Sequence, residues 1–205
     1  MAGGAERNPS RISVSPPRRP TGAAPPHSER HAAVIQTPQD LLVYALQEIQ
    51  DAETQASQAL QNQLRLVEDE ELGKLLERRL EQGGRLLRDV SQALEALGGH
   101  GRGDPNTAAR GLIEQAGRVV QLAQTPELKQ VALIAGVQKL EHYCIAAWGT
   151  VRSLANEVGQ QDLARAMQRA LDEGYALDRE LSNLAEGWVN PTAIEQADLA
   201  QDGEA

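Results

Sequence analysis

Phenylalanine is absent from this chain, and its 205 residues hold only three tyrosines, two tryptophans and one cysteine. Leu, Ala, Val and Ile must therefore build any core. With Cys144 alone, no disulfide can close within the chain, which excludes a disulfide-stapled secreted fold. No apolar run approaches the roughly 20 residues of a membrane span, so no membrane partner is expected and the expected compartment is the cytoplasm. Strand-like runs of β-branched residues with period-two alternation are missing as well. Basic residues are in deficit, 20 Lys and Arg against 29 Asp and Glu. The resulting net charge of −9 argues against nucleic acid as the main partner. Catalytic signatures are wanting too: there is no phosphate-binding Gly loop and no nucleophile–base motif. Histidine is confined to His27, His31, His100 and His142, three of them in expected tails or loops.

What remains is helix-forming. Gln, Glu, Ala, Leu and Arg dominate the middle of the chain, which predicts an all-α fold. Residues 1–36 hold six of the ten prolines, with five Arg and two Glu. Such a segment buries too little apolar area to offset its ordering entropy, so a disordered Pro/Arg-rich tail is expected there rather than a targeting peptide. At the other end, residues 188–205 carry four acids and no base and are expected to form an acidic tail, in which TAIEQADLA could make a brief helix.

Between the tails, residues 37–187 read as one bundle. Thr37-Pro38 opens a first helix with a Leu42, Leu46, Ile49, Ala56, Leu60, Leu64 stripe. Acids at 68–71 open a second helix, with a Leu72, Leu76, Leu80, Leu87, Val90, Leu94, Leu97 stripe, closed by Gly98-Gly99. Gly83-Gly84 interrupts it at a cost of about 1 kcal/mol per glycine relative to alanine, marking either a close helix approach or a weak spot. After the loop at 99–106 comes a short helix. Thr125-Pro126 then opens a third main helix. The fourth is expected to end at Gly187, with a Leu163, Met167, Leu171, Gly174, Asp178, Leu181 stripe. Short first and third connections and a long middle one specify a four-helix bundle with one long crossover that contains a short extra helix, the ferritin-like arrangement.

Two carboxylates stand in apolar stripes. Glu141 shares its helix face with Ile134, Val137, Cys144, Ile145 and Trp148, and Glu53 with Leu46, Ile49, Ala56 and Leu60. Burying an ionised carboxylate is costly unless it is paired, hydrogen-bonded or metal-bound. A metal site between helices is the sharpest reading. A protonated core Glu, a buried ion pair and a polar group at a subunit interface stay open beside it.

Three segments, DLLVYALQEIQDAETQASQAL, KLEHYCIAAWGTVRSLANEVG and LDEGYALDRELSNLAE, make residues 38–186 resemble the YciE/YciF-type ferritin-like stress-protein family. The resemblance implies a ferritin-like bundle, often a homodimer, with two metals between the helices. Carried over by residue, it places Glu53, Glu141 and Asp178 among the metal ligands. The chain also departs from the family pattern. Cys144 stands where a Glu is usual, Gly174 replaces another, and the second helix has Glu81-Gln82-Gly83 with Leu86 in place of Glu and His or Gln. Three carboxylates in place of about six ligands imply a single weakly held Fe, Mn, Mg or Ca ion; Cys144, three residues from Glu141, would turn the site toward Zn, and no ion at all is the other expectation. Without metal, like charges would keep at least one carboxyl protonated, and Tyr143, Tyr175 or Arg79 could supply hydrogen bonds or charge. The expected function is that of a ferritin-like protein with a degenerate metal centre, linked to stress and non-enzymatic or at most weakly active. The alternative is a non-catalytic helical interaction module that has lost its metal.

Overall fold

A computed structural model of the protein describes residues 34–99 and 103–202. Most of the expected N-terminal tail, including His27 and His31, lies outside the described residues, as does His100. Among the described residues all regular structure is helical: α1 (Pro38–Gln63), α2 (Glu70–Ala96), α3 (Thr107–Leu122), α4 (Pro126–Glu157), α5 (Gln161–Leu184) and α6 (Asn190–Asp202).

Helix ends follow local chemistry. Thr37 Oγ1 accepts from the Asp40 N–H at 3.1 Å while Asp40 Oδ2 accepts from the Thr37 N–H at 2.9 Å, a reciprocal cap with Pro38 at the first helical position. Asp69, Asn106 and Thr125 cap α2, α3 and α4 in the same way from one side. Gly98 and Gly159, with φ of 72° and 79°, close α2 and α4. Their left-handed backbone lets the next N–H reach back to Leu94 and Ala155, a conformation that suits glycine. Gly83-Gly84 does not interrupt α2, which runs straight through both.

The four long helices form a square in which every neighbouring pair is antiparallel. Gln130, early in α4, donates to the Leu66 carbonyl just beyond the end of α1 at 3.1 Å. On α2 and α5, Arg78 pairs with Glu180, Arg85 with Glu173 and Asp89 with Arg169, one position rising as the other falls. α3 crosses beside α1 and α4, close enough that a Cβ on Gly136 would lie 2.7 Å from the Ala116 Cβ. Asn106 ties this crossover down: its Nδ2 donates to the Glu48 carbonyl at 3.2 Å and to the Tyr143 hydroxyl at 2.6 Å, and its N–H to Asp51 at 2.7 Å. The bundle with one long crossover is thus the expected fold.

The C-terminal boundary differs from expectation. Gly187 does not end the last helix; a π-helical turn over Ala185–Val189 carries the chain into α6. Pro191 has no N–H and its ring presses on the carbonyl four residues back, so a widened turn before it relieves the conflict without breaking the helix. Val189 and Ala193 are buried as a result, with α6 lying against α4.

Apart from a small cluster of Val120, Ala132 and Leu133, the core has two apolar parts. One gathers Leu42, Leu46, Ile49, Val90, Trp148, Val151 and Met167. The other holds Leu60, Leu72, Leu76, Ile134, Val137, Leu177 and Leu181. A charged layer lies where they meet.

Candidate functional site

That layer comes from three helices. On α2 the buried positions run Leu72, Leu76, Arg79, Gly83, Leu86, Val90, a three-and-four spacing that turns Arg79 inward and leaves Leu80 and Leu87 only partly buried. Glu53 from α1 and Glu141 from α4 meet it. The three side chains are 0%, 2% and 2% exposed for Glu53, Arg79 and Glu141.

Arg79 grips Glu53 with both terminal nitrogens, Nη1 to Oε2 and Nη2 to Oε1, each at 3.1 Å. Its Nε donates to Glu141 Oε2 at 2.5 Å. Paired donors on a planar fork match a carboxylate in distance and direction, which a lysine could not do. The guanidinium carbon also lies 5.3 Å from the Trp148 ring centroid, within cation–π range. Two glycines leave room for the cluster. A Cβ on Gly83 would be 3.1 Å from Arg79 Nη1 and 3.2 Å from Glu53 Oε2. A Cβ on Gly174 would be 2.7 Å from the Trp148 ring and 2.8 Å from Glu141 Oε1. That Glu141 oxygen is buried and has no hydrogen-bond partner.

Electrostatics follow from burial. Desolvation works against the charge of Arg79, but the two carboxylates together outweigh it and hold the guanidinium pKa well above its ordinary value. Glu141 is pushed up by burial, which outweighs the pull of Arg79; the charges of Glu53 and Asp178 add to the rise. Burial likewise raises the Cys144 thiol, with the Glu53 charge beside it contributing. A thiol raised in this way stays protonated and is a poor nucleophile.

Of the three carboxylates expected to share a metal, the fold brings two together. Asp178 is turned to the edge of the bundle, where it accepts from Gln138 Nε2 at 3.0 Å and pairs with His142 Nε2 at 3.2 Å. The buried line of α5 passes through Gly174, Leu177 and Leu181 instead. Among the described residues, no three Asp, Glu, His or Cys side chains converge in a group able to hold a metal ion. With Arg79 between them, Glu53 and Glu141 do not fit one: three of their four oxygens accept from the guanidinium, whose charge repels a second cation. Tyr143 lies away from the cluster on Asn106, and Tyr175 is exposed. Of the open readings for the two buried carboxylates, the geometry is that of the ion pair, extended to three members.

The chain resembles known proteins over nearly all of this bundle. Residues 37–194 match the domain of unknown function DUF892. Protein YciF of Escherichia coli K12 is 31% identical over 171 residues, covering 80% of this chain and 99% of YciF. The crystal structure of that E. coli stress protein superposes with a TM-score of 0.70 over 76% of this chain and 99% of its own. The structure of YcfI from Rhodopseudomonas palustris, 30% identical, superposes with a TM-score of 0.68 over 72% of this chain and 94% of its own. On sequence and fold together, the chain belongs to the DUF892 family, that of YciF.

Proposed function

We propose that this protein serves a stress response as a non-catalytic helical module whose centre is closed by its own arginine in place of a metal ion. The observation that carries this reading is the pairing of Arg79 with both buried carboxylates. Glycine at 83 and 174 agrees with it, because those positions supply space and no ligands. The stress role comes from the name of the E. coli relative, and a structural role suits the description of YcfI as a candidate structural protein. In this reading the surfaces do the work, in the cytoplasm and as a pair of bundles.

The test is metal content per chain after purification without chelator and exposure to Fe, Mn and Zn. Far less than one ion per chain is expected, with a thermal midpoint that chelator leaves unchanged. Near-stoichiometric metal that disappears in both Glu53→Ala and Glu141→Ala would overturn the reading and return the centre to metal chemistry.

A further inference from the structure

We infer that the middle of this bundle is a binding site shaped for a guanidinium cation, which the chain fills with its own Arg79. The inference concerns the site and holds whether or not the protein serves a stress response.

Four features define the site apart from its occupant. Glu53 offers both oxygens edge-on to a planar fork, each 3.1 Å from a terminal nitrogen. Glu141 closes the adjacent side through Oε2, and its second oxygen, buried and unpartnered, can accept one more N–H. Trp148 supplies an aromatic face 5.3 Å from the guanidinium carbon. Gly83 and Gly174 keep the space clear, since a methyl at either would come within 3.2 Å of a carboxylate oxygen. Bidentate carboxylate and indole face together suit a flat, weakly hydrated organic cation better than a compact ammonium ion. The stem of Arg79 serves as a tether, making binding intramolecular. If the walls and not the tether hold the shape, truncating the side chain leaves a cavity that a free guanidinium ion can enter.

Thermal unfolding of full-length Arg79→Ala tests this, with guanidinium chloride added below its denaturing range and NaCl and urea at equal concentration as controls. The variant should melt well below the parent, and guanidinium alone should raise its midpoint by several degrees in a saturable way. The parent should show no such rise. Adding Glu53→Gln to the variant should abolish the response. If Arg79→Ala is unfolded without ligand, circular dichroism should record helix gained on adding guanidinium. Arg79→Lys keeps the charge and loses the fork, so it should melt below the parent. Three results overturn the inference: no selective response to guanidinium, recovery with Mn or Zn but not guanidinium, or Arg79→Lys melting with the parent.

Discussion

Two kinds of ion pair hold α2 to its neighbours, and consecutive arginines make them. Arg78 reaches Glu180 on α5 at 2.6 Å, with the two side chains 55% and 44% exposed. Arg79, one residue on, reaches α1 and α4 with at most 2% of any partner exposed. One step along a helix turns a side chain by about 100°, and here that step takes it from water into the core. The surface pair gains little, because water already solvates both groups and salt screens them. The buried triad has lost that solvent, so its hydrogen bonds offset a large desolvation cost, and each member depends on the others. Similar contact distances therefore stand for very different energies.

The sharpest way to break the comparison is to remove the buried arginine. Arg79→Met leaves two carboxylates without a partner and should cost about 3–5 kcal/mol in urea unfolding, as loss of one member of a buried pair does. The triple variant Glu53→Leu, Arg79→Met, Glu141→Leu removes the charges together and should be more stable than Arg79→Met alone. A triple variant less stable than the single one would mean that shape, not charge, dominates the layer.

Gly174→Ala puts a methyl against Trp148 and Glu141 and should cost about 1–3 kcal/mol, the usual range for an overpacked core. Ala at exposed Gly187, where a Cβ meets nothing within 4 Å, is the control. Equal stability of the two variants would remove the argument for a tight approach at Gly174.

Acidity sharpens the comparison differently. Because burial raises the Glu141 pKa above the ordinary 4.5, there is a range of pH above that value in which the folded protein keeps a proton that the unfolded chain has released. Its stabilising contribution is fully present below the unfolded-state value and is lost as pH rises through the raised folded-state value. Parent stability measured against Glu141→Gln should therefore decline with rising pH above 4.5. A difference that grows with pH would reverse the assignment.

The smallest effect belongs to the surface. Arg78→Ala should cost about 0.2–1 kcal/mol and less in high salt. A loss as large as that of Arg79→Met would show the seam between α2 and α5 to be more than a solvated contact.

Much of this was legible in the sequence. Thr37-Pro38 and Thr125-Pro126 marked two helix starts, and apolar neighbours at three and four residues placed Glu53 and Glu141 inside. Arg79 was visible as a source of charge but not as the partner of both acids. Leu80 and Leu87 drew the apparent stripe of α2 one residue aside, although Leu72, Leu76, Gly83 and Leu86 keep helical spacing with Arg79. The same one-residue offset separates Asp178 from the buried Leu177. Small rotations of this kind are decided by packing between helices, which one helix's sequence does not carry. Gly187 is the stop that the sequence offers, and only the widened turn around it shows how the helix continues.

The scarcity of aromatics has a practical consequence. Trp148, fully buried beneath the guanidinium, and Trp188, 61% exposed in the π-helical turn, are the only indoles in the chain. Iodide should quench the second and not the first, so indole emission that survives the quencher reports on the charged layer. The protein thus carries an intrinsic optical probe of its own centre, readable in unlabelled protein.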